Sequence, residues 1–86
     1  MDHIGLEEFD YSLPAEVFAL KRKKYGPVTY RRFKTAAEAI RYAVEDLSGS
    51  LLDGTFIETD AGRLGGRAIK QLYRGERYPL KRAATL

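Results

Sequence analysis

At 86 residues the chain fits one small domain and is too short for a two-lobed enzyme with a deep cleft. Apolar residues at 44% and charged residues at 31% exclude a wholly disordered or collagen-like chain. The absence of cysteine removes disulfides, thiolate metal sites and Cys nucleophiles. The net charge of +3 hides alternating blocks: residues 1–16 hold five acids and no Lys or Arg, and residues 17–34 hold seven Lys or Arg and no acid. Residues 35–60 then hold six acids against one Arg, and residues 61–86 seven Lys or Arg against one Glu. Two basic blocks meeting on one face would attract phosphates or an acidic partner; neutralisation of each block by an acidic neighbour is the plainer expectation.

Residues 1–14 show no sustained period, and their apolar Ile4, Leu6, Phe9, Tyr11 and Leu13 suit an extended arm draped over a core edge. The acidic start is unlike a signal peptide, and no apolar run reaches the roughly 18 residues of a membrane span. A soluble, cytoplasmic protein without membrane contact is expected. Residues 16–22 suit either a helix beginning at Pro14 or a strand. The turn residues Tyr25-Gly26-Pro27 and the β-branched and aromatic run up to Phe33 favour a hairpin of the two segments. On that hairpin Phe18, Leu20, Val28 and Tyr30 are the expected core residues.

Thr35-Ala36-Ala37-Glu38 matches a capping box, and Ala36, Ile40, Ala43, Val44 and Leu47 form one apolar stripe. A helix over about 35–48 is expected, with Gly49 as its C-terminal cap. Asp53-Gly54 signals a turn and residues 55–59 a third strand. The glycines at 62, 65 and 66 interrupt regularity before a short helix over 67–73, stopped by Gly75. Tyr78-Pro79-Leu80 is expected to be extended. The fold implied is α+β: a small antiparallel three-stranded sheet with two helices on one face, in the order ββαβα. Residues 15–80 would form the domain and 81–86 a loose basic tail.

Catalytic signals are weak. His3 is the single histidine and sits in the expected N-terminal arm, so neither a His-based triad nor a multi-histidine metal site is expected, and none of Ser12, Ser48 and Ser50 lies in a nucleophile-elbow pattern. Glu45, Asp46, Asp53, Glu58 and Asp60 could supply an acid/base pair, yet surface and turn positions account for all five. A non-enzymatic chain with no cofactor and no metal is expected.

Two basic features point to phosphates. In the hairpin, Lys21, Arg22, Lys23, Lys24, Arg31 and Arg32 interleave with Tyr25, Tyr30 and Phe33, the mixture of cations and stackable rings that single-stranded nucleic acid exploits. The same lysines would equally protect a sheet edge. Further on, Arg63, Gly65, Gly66, Arg67 and Lys70 surround the start of the last helix, where free N–H groups favour an anion. The plainer account is a tight strand-to-helix turn that needs positive φ.

The stretch Gly65-Gly66-Arg67-Ala68-Ile69-Lys70-Gln71-Leu72 resembles the Gly-x-x-Gly loop and following helix of KH domains. The resemblance covers about ten residues and implies a loop that clamps a nucleic-acid backbone. It departs from the KH pattern in two ways. Arg63 stands in the place of the first loop glycine, and a strand is expected between this loop and the preceding helix. Residues 30–40, with Leu72-Tyr73 and Tyr78-Pro79-Leu80, also resemble small uncharacterised bacterial proteins of unknown function, which implies a bacterial cytoplasmic setting and no particular activity. The expected partner is RNA or DNA; the alternative is a protein-interaction or homodimerising module.

Overall fold

The computed structural model describes residues 8–19, 29–47 and 54–82. The elements in chain order are strand β1 (Ala15–Ala19), strand β2 (Thr29–Phe33), helix α1 (Ala36–Arg41) continuing as a π-helical segment (Tyr42–Asp46), strand β3 (Thr55–Thr59), strand β4 (Gly62–Leu64) and helix α2 (Gly66–Arg74). The four strands form one antiparallel sheet in the order β2-β1-β3-β4.

The hairpin of β1 and β2 pairs as expected, with Ala15 opposite Phe33 and Ala19 opposite Thr29. The expected three-stranded sheet is corrected to four by β4. Only three residues long and begun by a glycine, it offers no run of β-formers to read in the sequence. Register supplies what propensity lacks: Leu64 lies opposite Ile57, and both are buried. Thr59 pairs with Gly62 across the two-residue link Asp60-Ala61. No non-glycine residue described has positive φ, so this turn cannot take the primed geometry that suits strand twist. Gly62, at φ 136°, absorbs the mismatch. The positive φ expected in the Gly-rich stretch falls on Gly62.

A second correction concerns which side of the sheet is the core. Ala15, Val17 and Ala19 of β1 are buried and share a face with Ile57 and Leu64. The expected core residues Phe18 and Tyr30 lie on the other face, Phe18 half-buried and Tyr30 51% exposed. Leu20 and Val28 lie outside the described residues. Alternation divides a strand into two sets without saying which set meets the helices. Here the small set does, because alanines on both layers (Ala15, Ala36, Ala39, Ala43) admit bulky neighbours such as Phe9, Ile40 and Tyr73 between them.

Thr35 caps α1, its Oγ1 accepting from the Glu38 N–H at 3.2 Å. Ala36, Ile40 and Ala43 are fully buried, while Val44 and Leu47 pack partly against the core, so the stripe is real. The element is α-helical only to Arg41, and the π-helical turns end at Leu47, which is extended. The expected cap Gly49 lies outside the described residues, as does Asp53. Helix α2 ends at Gly75 as its sequence predicts.

Segments flanking the elements close the helix ends. The Ala37 N–H, one of the free donors of the first turn of α1, donates to the Tyr11 carbonyl at 3.0 Å, and the Tyr78 hydroxyl donates to the Ala37 carbonyl at 2.8 Å. At the other helix the Leu72 carbonyl accepts from the buried Tyr11 hydroxyl at 3.0 Å. Arg82 donates to the Tyr73 and Gly75 carbonyls, both at 2.6 Å, placing a cation at the negative end of α2.

Candidate nucleic-acid interface

The face of the sheet turned away from the helices carries two cross-strand rows. Tyr30, Phe18 and Phe56 stand opposite one another on β2, β1 and β3. Arg32, Glu16, Glu58 and Arg63 do the same from edge to edge. None of these seven side chains is buried.

The aromatic row is a column of rings. Phe18 stacks on Phe56 with centroids 5.0 Å apart and planes 16° from parallel, and Tyr30 leans on its other side at 5.1 Å. The Arg63 guanidinium covers the far side of Phe56 at 4.3 Å. Phe18 and Phe56 thus spend their ring faces on each other and on their neighbours. Tyr30, at the end of the column, is the ring presented to solvent.

The charged row places two like charges, Glu16 and Glu58, directly opposite each other, which is tolerable because each has a partner. Arg63 reaches Glu58 Oε2 through Nε at 3.0 Å and Nη2 at 2.6 Å. The Tyr30 hydroxyl donates to Glu16 Oε2 at 2.7 Å, and this bond to the carboxylate raises the Tyr30 pKa above its ordinary value. A shallow depression beyond the row, towards Pro14, is lined by Glu16, Glu58 and Asp60 with Arg32, an excess of acid that repels phosphate. The segment that holds the Lys/Arg run follows Ala19 in the sequence and lies outside the described residues.

The sequence-predicted site residues are dispersed. Lys21, Arg22, Lys23 and Lys24 lie outside the described residues. Arg31 and Arg32, adjacent in sequence, lie on opposite faces: Arg32 is exposed beside Tyr30's face, and Arg31 is on the helix side over the Phe33 and Tyr42 rings. Arg63 is on the open face, held by Glu58 and Phe56. Gly65 is the extended N-cap of α2 and Gly66 its first residue, so the glycine pair joins a strand to a helix. Arg67 is exposed and Lys70 half-buried on α2, in the layer behind the sheet. Because β2 and β4 are the two edges of the sheet, Arg31 and Arg32 stand on the strand at one edge and Arg63 on the strand at the other.

Phe56, Glu16 and Glu58 were missed as members of the site. Their alternation is legible in the sequence; their meeting depends on β1 lying between β2 and β3, which no local signal specifies. Of the carboxylates weighed for catalysis, Glu45 accepts from the Tyr73 hydroxyl and Glu58 is paired with Arg63. Among the described residues no group of three or more His, Asp or Glu is placed to hold a metal ion, and no helix is long and apolar enough to cross a membrane. No family model, curated protein or solved structure matches the chain.

Proposed function

We propose that the chain is a small non-enzymatic module that binds single-stranded nucleic acid on the open face of its sheet. The observation that carries this reading is the aromatic column ending in the exposed Tyr30 ring, on the face that also presents Arg32 and next to the strand end that continues into Lys21-Arg22-Lys23-Lys24. One base stacks on Tyr30 while Arg32 and the Lys/Arg run meet phosphates. With a single free ring on this face among the described residues, contact there is short and sequence-tolerant. Fluorescence anisotropy with a labelled single-stranded oligonucleotide at two salt concentrations tests it. Binding that weakens steeply with salt and is reduced by Tyr30→Ala supports the proposal; no binding at low salt overturns it.

A second reading is favoured by the balanced charges of the Arg32–Glu16–Glu58–Arg63 row, which repel neither sign of partner. On this reading the same face is a protein-interaction or homodimer surface. A sedimentation-detected dimer that persists at high salt and is broken by Tyr30→Ala favours it over nucleic acid.

A further inference from the structure

We infer that the depression between the C-terminal end of α1 and residues 81–82 is a binding site for a small oligophosphate. Arg41, Glu45, Lys81 and Arg82 line this depression of about 270 Å³, on the helix side of the molecule and apart from the open sheet face. Three cations against one carboxylate leave an excess of two positive charges in a concave place, where field lines concentrate.

The cations come from two separate segments, and two of the four groups are already fixed. Arg82 is pinned by its bonds to the Tyr73 and Gly75 carbonyls, with its guanidinium 5.8 Å from the Tyr73 ring and 5.5 Å from the Tyr78 ring. Glu45 is tethered by the Tyr73 hydroxyl, which aims its carboxylate into the same wall. Arg41 is the last residue of α1 before the π-helical segment, half-buried beside this wall. Pre-organised guanidinium and ammonium groups favour phosphate oxygens, which accept several charged hydrogen bonds at once. The depression holds two or three linked phosphates, and its lining offers no aromatic ring on which a base could lie.

Calorimetric titration of the full chain with inorganic tripolyphosphate at low salt tests the site. Wild-type protein is expected to bind; Arg41→Gln and Lys81→Gln each weaken binding roughly tenfold, the worth of one charged contact. Glu45→Gln keeps an acceptor for the Tyr73 hydroxyl and tightens binding by removing the opposing charge. Arg67→Gln, which changes the net charge equally at the opposite end of α2, leaves it unchanged. Absence of binding, or an equal loss with Arg67→Gln, overturns the site and leaves unspecific charge attraction. A single-stranded oligonucleotide that displaces tripolyphosphate and loses its own binding with Arg41→Gln assigns the site to nucleic acid instead, and also overturns the small-ligand reading. Tyr30→Ala has no effect on tripolyphosphate, so failure here is distinguishable from failure of the proposed function.

Discussion

Arg31 and Arg32 are neighbours in the chain and lie on opposite faces of the sheet: Arg31 pairs across the strands with buried Val17 and Arg32 with Glu16. Both are exposed, but Arg31 lies over the Tyr42 ring at 5.0 Å, whereas Arg32 stands beside Tyr30. Replacing each by alanine separates the two roles. Arg31→Ala is expected to cost about 0.5–1 kcal/mol of stability through the lost cation–π contacts and to leave oligonucleotide binding unchanged. Arg32→Ala leaves stability nearly untouched and weakens binding alike across sequences. Urea unfolding and anisotropy on the same two variants read both effects; a binding loss confined to Arg31→Ala would place the interface on the helix side.

The cap and stripe of α1 make a pair of stability predictions. Thr35→Ala removes the acceptor for the Glu38 N–H and is expected to cost about 1 kcal/mol. Ile40 is fully buried in the core, and Ile40→Ala is expected to cost roughly 2–5 kcal/mol, depending on how far the small alanines around it close the cavity. Chemical denaturation checks both, and a neutral Ile40→Ala contradicts the packing of α1 on the sheet.

How much could be read in advance follows from which interactions are local. Thr35 with Glu38, the stripe from Ala36 to Leu47 and the stop at Gly75 are recorded within one or two helical turns, and they emerge as read. The strand at 55–59 is as legible, for its composition alone. Strand β4 was not, because three residues have no period and their partner, Ile57, supplies the reason for their conformation. The side on which Phe18 lies was equally out of reach. Alternation is symmetric between faces, and the choice is made by helices whose small residues are distant in sequence. The dispersal of the basic residues has the same origin: charge blocks are contiguous in sequence, but a strand sends successive side chains to opposite faces, and sheet order separates β2 from β4.

Gly62 and Gly65 differ in backbone conformation. Gly62 holds φ 136°, a conformation that other residues rarely adopt, so Gly62→Ala is expected to destabilise by more than about 1 kcal/mol and to loosen the β3–β4 hairpin. Gly65 is extended at the N-cap of α2, and an added Cβ finds no atom within 4 Å. Gly65→Ser supplies an acceptor for a free N–H of α2 and is expected to be neutral or stabilising by up to about 1 kcal/mol. Thermal unfolding of the two variants checks the contrast. A stabilised Gly62→Ala would show that the turn has another geometry.

Tyr78 joins the C-terminal segment to α1 and makes the fold sensitive to alkali. Its hydroxyl donates to the Ala37 carbonyl, and burial pushes its pKa up to about 12. Only the neutral phenol can donate this bond. A folded-state pKa above the unfolded value of about 10 means that the contribution is fully present below pH 10, and it fades as pH rises towards 12. Tyr11, whose hydroxyl is held by the Leu72 carbonyl and whose pKa is raised by burial, acts in the same sense. Stability measured by urea unfolding should therefore decline with increasing alkalinity from about pH 10. Tyr78→Phe is expected to cost about 1–2 kcal/mol at neutral pH, since it leaves the Ala37 carbonyl without that donor, and to flatten the alkaline decline. If the variant kept the full alkaline decline, the sensitivity would belong to other groups, and spectrophotometric titration of the phenols would show Tyr78 ionising together with the exposed tyrosines.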